Sequence, residues 1–212
     1  MASSRKPSPD GRARTAEETR ERLLAAAVAE FGAKGYAGAR TACIAARAGV
    51  NQQLISYHFG GKQGLLDELR RRREEIQATI VPPGASFAGR IRAYLDATFD
   101  RPDWARFVAW QALGDCPFAD AEEERLRAEQ QREKTVAAVA EARRRQENGE
   151  VRAGIDPAFA LLAAYAITLA PVTMPQLVED VLGGDPLSPQ TRRILRTQLV
   201  RLLTDEQTEE DE

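Results

Sequence analysis

Apolar residues recur at helical spacing along most of this chain, and strand-like alternation is missing from the pattern. One stripe consists of Leu23, Leu24, Ala27, Val28 and Phe31. In the last helix a pair repeats every four residues: Ile194 and Leu195, Gln198 and Leu199, and Leu202 and Leu203. The spacing predicts helices over residues 15–34, 41–47, 52–59, 62–80, 86–99, 103–112, 119–147, 157–181 and 189–204. The predicted fold class is therefore all-α.

Several helix ends carry the residues that such ends require. Thr15 with Glu18 forms a capping box, and Gly35 follows Lys34 at the predicted end of the first helix. Asp156 and Ser188 each precede a proline, which is the pattern of an N-cap followed by proline at the first helical position. These signals set where the long helices begin.

The segment from Arg40 to Lys62 predicts a helix-turn-helix. Gly49 permits a sharp turn between two short helices, and Gly60-Gly61 stops the second one. At 100° per residue with Ile55 in the core, the outer face and helix tip of the second helix carry Gln52, Gln53, Leu54, Ser56 and Tyr57. A second helix of this kind enters the major groove of DNA.

This outer face suits base reading because its groups are uncharged. Glutamine can pair bidentately with adenine, and an apolar group such as Leu54 can contact the thymine methyl. Ser56 and Tyr57 suit phosphate oxygens or base edges. The alternative is an ordinary solvated helix, which would more often carry lysine and glutamate.

Two residues that flank the second helix are candidate phosphate anchors. Thr41 opens the preceding helix, and Lys62 combines a cation with the start of the following helix. The alternative for Lys62 is a plain solvated lysine. His58 lies partly inward on the helical wheel, so phosphate contact and packing between helices both remain open for it.

Composition bounds the remaining possibilities. The formal net charge is −2, yet residues 1–60 hold nine Lys/Arg against five Asp/Glu, about +4 locally. Residues 1–14 predict a disordered basic arm, and residues 205–212 an acidic tail. One histidine, two distant cysteines and no nucleophile–base set argue against an enzyme, a metal site or a cofactor. The polar N-terminus lacks a signal peptide, so a cytoplasmic protein is expected.

Residues 157–178 contain no charge and are long enough to cross a bilayer. They also contain three prolines and several alanines, with few large aliphatic side chains. A buried helix of an all-α core is therefore preferred to a membrane span.

The break at residues 81–84, Val-Pro-Pro-Gly, predicts a boundary between a first domain over 15–80 and a second over 81–204.

Over about residues 17–77, the chain resembles the TetR/AcrR family of one-component transcriptional regulators. The resemblance rests on Gly35-Tyr36, Thr41, Ile44-Ala45, Ala48-Gly49-Val50, the aromatic end of the recognition helix, and Lys62 with Leu65 and Leu66. The chain departs from the family where small residues usually open the recognition helix, here Asn51 to Gln53, and where a tyrosine is usual, here Ser56. His58-Phe59 replaces the usual Tyr-Phe, so the family's tyrosine contact could move to Tyr57 or His58.

The resemblance implies a three-helix DNA-binding module joined by a linking helix to a larger ligand-binding and dimerisation domain. It implies a homodimer formed through the last two helices, 157–181 and 189–204, on a pseudo-palindromic operator. It further implies a small-molecule effector and repression. The charge-free helix at 157–178 and the apolar face at 194–203 independently suit a four-helix interface between copies.

An apolar effector pocket is expected in the second domain. The candidate lining residues are Trp104, Phe107, Trp110, Phe118, Tyr165 and Met174. For each of them, a place in the hydrophobic core is an equally good interpretation. The alternative function is accordingly a constitutive repressor or an architectural protein without a sensor role.

Overall fold

The computed structural model describes residues 9–115, 117–118 and 120–205, without the side chains of residues 9–14. Helices joined by short turns and loops make up the described part of the chain, and no strand occurs within it. In chain order they are α1 (Pro9–Gly38), α2 (Thr41–Ala48), α3 (Gln53–Phe59), α4 (Lys62–Ile80), α5 (Phe87–Asp100), α6 (Pro102–Ala112), α7 (Ala121–Glu147), α8 (Pro157–Thr173), α9 (Pro175–Leu182) and α10 (Pro189–Leu203). The all-α prediction is confirmed.

The first helix begins earlier than its capping box predicts. It starts at Pro9 rather than at Thr15, so residues 9–14 of the predicted disordered arm are helical. Residues 1–8 and 206–212, which hold the rest of that arm and most of the acidic tail, lie outside the described residues. The predicted end at Gly35 corresponds to a kink, where Gly35 has a φ of 68°.

The chain divides into two compact units, and the division falls inside α4, between Glu75 and Ile76. This is earlier than the boundary that the Val-Pro-Pro-Gly break predicts. In the first unit, the predicted stripe of α1 is buried together with apolar residues of α2, α3 and α4. The core residues are Leu23, Leu24, Ala27, Val28, Phe31, Ile44, Ala45, Ala48, Ile55, Leu65, Leu66 and Leu69.

In the second unit, α5, α8 and α10 pack around one core. Its buried members are Phe87, Ala88, Ile91, Leu95, Val151, Ala160, Leu199, Val200 and Leu203. Asp156 and Ser188 cap α8 and α10 as predicted, accepting hydrogen bonds from the backbone N–H groups of Phe159 at 2.9 Å and Thr191 at 3.1 Å. These caps fix the starts of the two helices that the sequence assigns to dimerisation.

The apolar face of α10, predicted to form part of a dimer interface, is partly covered within the chain. Leu199, Val200 and Leu203 are buried where α10 packs against α5. Leu202 alone among its large apolar residues is markedly exposed, at 48%. The prediction of a single helix over 157–181 is wrong, since α8 ends at Thr173 and α9 begins at Pro175.

The break between α8 and α9 follows from proline chemistry. Pro175 has no backbone N–H, and its ring disfavours helical conformation at Met174, whose φ is −133°. The two helices meet at an angle of 96°. Within the described residues, length and apolarity would allow only this bent pair to cross a membrane, and no single helix.

Candidate nucleic-acid interface

The turn between α2 and α3 is built around Gly49. Its φ of 67° and ψ of 37° lie in the left-handed region, which costs little for glycine and more for any residue with a Cβ. Its N–H donates to the carbonyl of Ala46 at 3.1 Å, and the N–H of Val50 donates to that of Ala45 at 3.0 Å. The turn therefore satisfies the end of α2 while it redirects the chain into α3.

The exposures of the α3 side chains agree with the helical-wheel prediction. Ile55 is 1% exposed and belongs to the core, whereas Tyr57 is 79% exposed. Gln52, Gln53 and Ser56 are also exposed, and Leu54 and His58 are half-buried. The rings of Tyr57 and His58 meet edge to face, with centroids 4.9 Å apart. The outward surface of α3 and its tip is thus polar, aromatic and without a carboxylate or ammonium group.

Side-chain hydrogen bonds order the tip of α3. The carboxamide oxygen of Asn51 accepts from the backbone N–H of Gln53 at 2.8 Å, which satisfies one of the N–H groups that a helix start leaves open. Gln52 Nε2 donates to Thr41 Oγ1 at 2.8 Å, so the first residue of α2 contacts the tip of α3. Thr41 and Gln52, predicted separately as a phosphate and a base contact, are brought together.

An aromatic ring holds Lys62 at the start of α4. The Lys62 ammonium lies 4.3 Å from the ring centroid of Tyr36, within the range of a cation–π interaction. The Tyr36 hydroxyl donates to Gln63 Oε1 at 3.1 Å, which fixes the ring against the first turn of α4. The helical pattern does not predict this arrangement, although Tyr36 belongs to the residues that carry the family resemblance.

The junction between α3 and α4 leaves no space at residue 64. A Cβ at Gly64 would lie 1.8 Å from the backbone oxygen of Phe59, far inside van der Waals contact. The two helices can approach this closely only because glycine has no side chain. Gly64 therefore determines how α3 leads into α4, and no sequence pattern predicts this role.

A network of charges joins α1 to α4 beside the recognition helix. Arg20 Nη2 lies 2.7 Å from Glu68 Oε1, and Arg72 Nη1 donates to Glu21 Oε2 at 2.7 Å. The Arg20 guanidinium also lies 5.4 Å from the ring centroid of Phe59, at the end of α3. Spacings of three and four residues indicate pairs within one helix, but these pairs join different helices, so the sequence did not predict them.

Hydrogen bonding in this network favours ionised carboxyl groups. A hydrogen bond from Arg71, followed in importance by one from Arg20, lowers the pKa of Glu68 from 4.5 to about 2, against the opposing effect of partial burial. The hydrogen bond from Arg72 likewise lowers the pKa of Glu21. These carboxylates stay charged at neutral pH and hold α4 on α1.

The sequence pattern also does not predict the role of Glu30. Glu30 is a buried carboxylate on α1, at 2% exposure. Lys34 Nζ donates to it at 2.8 Å. That bond lowers the pKa of Glu30 most strongly, and the backbone N–H of Arg40 lowers it further. Since Arg40 directly precedes α2, Glu30 ties the start of α2 to α1.

The six residues predicted to line an effector pocket have different environments. Phe107 is buried at 1% exposure, and its ring meets that of Trp104 edge to face with centroids 5.8 Å apart. Trp104, Trp110 and Phe118 are half-buried. Tyr165 and Met174 are 50% and 47% exposed, and so lie on the surface of this chain.

Two open surface hollows among the described residues lie elsewhere. One is on α1 beside Glu17, Glu18, Glu21 and Arg22, and the other is on α7 between Glu129 and Ala140. Neither contains any of the six predicted lining residues.

The pKa of Glu68 predicts an acid-sensitive first unit. A carboxyl group whose pKa is lowered on folding stabilises the fold above its unfolded pKa of about 4.5 and ceases to do so as the pH falls towards about 2. We expect the free energy of unfolding to fall over that window in urea titrations followed by circular dichroism. The Glu68→Gln variant should be less stable than the wild type at pH 7 and should show a shallower fall.

Glu75→Gln is the matched control for this prediction, because Glu75 also pairs with Arg71 but is 61% exposed. For this variant, the free energy of unfolding should fall over the acid range as it does for the wild type. If the free energy of unfolding of Glu68→Gln fell with pH in the same way as that of the wild type, the assigned role of Glu68 would be contradicted.

Comparisons with known proteins agree with this geometry. The profile of bacterial regulatory proteins of the tetR family matches residues 23–69, and a tetracyclin repressor-like C-terminal domain matches residues 85–201. The HTH-type transcriptional repressor SCO4008 of Streptomyces coelicolor is 33% identical over 81% of this chain and 88% of its own length. The HTH-type transcriptional regulator BetI of Cronobacter sakazakii is 29% identical over 86% of this chain and 89% of its own length.

Solved structures share the fold. The Streptomyces coelicolor protein SCO4942 superposes with a TM-score of 0.62 at 27% identity, covering 87% of this chain and 98% of its own. The ketosteroid transcriptional regulator KstR2 of Mycobacterium tuberculosis superposes with a TM-score of 0.61 at 18% identity, covering 88% and 95%. The relatives matched in sequence are transcriptional regulators rather than enzymes. This chain belongs to the TetR family of DNA-binding transcriptional regulators.

Proposed function

We propose that this protein is a ligand-responsive repressor that binds a pseudo-palindromic operator as a homodimer in the cytoplasm. The observation that carries the proposal is the uncharged outer surface of α3, which lies between Thr41 and Lys62. A surface of amides, a hydroxyl and a phenol can form hydrogen bonds with base edges, whereas charged groups would favour phosphates regardless of sequence.

Each predicted contact residue has a role in this proposal. Gln52 and Gln53 read base edges, and the half-buried Leu54 offers methyl groups to thymine. Contacts with the phosphate backbone come from Thr41, Ser56, Tyr57, His58 and Lys62. The Tyr36 ring keeps the Lys62 ammonium at the start of α4, where the N-terminal helix dipole adds to its attraction for a phosphate.

Two substitutions separate base reading from phosphate contact. Gln53→Ala should cost about 1–3 kcal/mol on the operator and relax selection at one position of each half-site. Lys62→Ala should weaken binding to operator and random DNA alike, and should lower the slope of log K against log salt by about one. Fluorescence anisotropy with both DNAs at several salt concentrations measures these effects. Equal losses on the two DNAs for Gln53→Ala would exclude base reading by Gln53.

The apolar surface of α8 and α9 supports dimerisation. Six large apolar side chains on these helices and at the residue between them are about half exposed or more: Phe159, Leu162, Tyr165, Met174, Leu177 and Val181. Exposed large apolar side chains grouped on successive helices are typical of an interaction site. Since most of the α10 face is buried within the chain, we propose that α8 and α9 form the main interface and that α10 adds Leu202. Tyr165 and Met174 then belong to the interface rather than to an effector pocket.

A charge in this surface should dissociate the dimer. Leu162 is 65% exposed on α8, and Leu162→Arg would bury a guanidinium between two apolar faces. We expect a monomer by sedimentation velocity and a loss of operator binding. Val136→Arg is the matched control, because Val136 is 62% exposed on α7 and should tolerate the charge. A dimeric Leu162→Arg variant would place the interface elsewhere.

The proposed effector site is around α6, where Trp104, Phe107, Trp110 and the nearby Phe118 provide aromatic surface. Phe107 is buried at 1% exposure, so an effector that contacts its ring must displace the side chains packed around it. The burial of Phe107 in the interior of the chain favours the alternative, a constitutive repressor whose second unit serves dimerisation only.

An effector screen distinguishes the two functions. Compounds that raise the melting temperature are tested for operator release, and coupling requires that operator in turn weakens their binding by the same factor. Trp104→Ala should abolish the response and retain operator affinity, with Leu126→Ala on α7 as a control. A response that survives Trp104→Ala would move the effector site away from α6. If no compound that binds the chain weakens operator binding, the constitutive alternative holds.

A further inference from the structure

We propose that Thr41 is a positioning residue, which holds the carboxamide of Gln52 in the orientation that reads an adenine in the major groove. The inference rests on the proposed function, because it takes the surface of α2 and α3 as the DNA contact. From the sequence, Thr41 is predicted as a phosphate contact and Gln52 as a base contact, each acting independently. Here Thr41 also orients Gln52.

The two side chains meet across the helix-turn-helix. Thr41 is the first residue of α2, and Gln52 lies directly before the first residue of α3. Gln52 Nε2 donates to Thr41 Oγ1 at 2.8 Å, over a separation of 11 residues in sequence. Both backbones are helical or start a helix, so the hydrogen bond joins two fixed points and determines where the amide group lies.

The remaining hydrogen-bonding capacity matches adenine. After the bond to Thr41, the Gln52 amide keeps its Oε1 acceptor and one N–H donor. Adenine presents an N6 donor and an N7 acceptor in the major groove, which is the complementary pair. Thr41 Oγ1 acts as an acceptor towards Gln52, so its own proton is available to a phosphate oxygen. One continuous chain of hydrogen bonds can thus run from phosphate through Thr41 and Gln52 to the base.

Gln53 provides an internal contrast. Its backbone N–H is bonded to Asn51, but its exposed side chain has no hydrogen-bond partner among the described residues. A free glutamine loses rotamer freedom when it orders on a base, and that loss opposes binding. Gln52 is already restrained in the free protein, so it should discriminate between bases more sharply than Gln53.

The test is a selection from random DNA duplexes by the full-length protein, followed by affinity measurements on the selected site and its single-base variants. Thr41→Val removes the hydroxyl and keeps the shape, whereas Thr41→Ser keeps the hydroxyl. At the base pair whose selection is lost in Gln52→Ala, Thr41→Val should reduce discrimination about five- to tenfold. Thr41→Ser should stay within about twofold of the wild type, and Gln53→Ala should affect a different base pair.

A double variant separates positioning from a separate contact. If Thr41 acts through Gln52, Thr41→Val combined with Gln52→Ala should discriminate no worse at that base pair than Gln52→Ala alone. Melting temperatures of all variants within about 2 °C of one another would show that the effect is not a loss of fold.

Two results would overturn the inference in distinguishable ways. Equal weakening of all DNA sequences by Thr41→Val, with base preference intact, would show that Thr41 serves only as a phosphate contact, and the proposed function would stand. Failure of the wild-type protein to select any sequence would overturn the proposed function itself.

Discussion

The close approach of α3 to α4 determines the direction in which the outer surface of α3 points. At Gly64, the missing side chain allows the Phe59 carbonyl to lie where a Cβ would otherwise be, only 1.8 Å away. Arg20 then contacts both the Phe59 ring and Glu68, which joins α1 to the same junction. The contacts proposed for α3 and for Lys62 depend on this junction, because α3 leads into it and Lys62 lies within it.

Periodicity alone predicted most of what is local in this fold. The helices, the burial of Ile55 and the exposure of Tyr57 follow from a repeat of 3.6 residues, and the caps at Asp156 and Ser188 follow from short motifs. The missed features join distant residues. Each of these contacts requires two helices at a particular separation, which no single helical pattern encodes. The contacts are those of Lys62 with Tyr36, Thr41 with Gln52 and Arg20 with Glu68.

The apolar pattern leaves open what covers each apolar surface. An apolar stripe shows that a surface must be covered, but not which element covers it. Part of the α10 face is covered by the core that α10 shares with α5, and Phe107 is buried in the interior of the chain. The continuous apolar run of 157–181 concealed a break, because Pro175 is apolar in composition and yet unable to continue a helix.

The absence of charge on α3 has a consequence for how a regulator finds its site. Random genomic DNA competes for the protein chiefly through phosphate contacts, and that competition grows with the number of cations at the interface. A recognition helix built from Gln-Leu-Ile-Ser-Tyr-His-Phe adds little to it. Under the proposed function, the protein therefore spends less of its time on the wrong sequences than a regulator with a cationic recognition helix, and its occupancy of an operator is governed by the few base pairs that its amides distinguish.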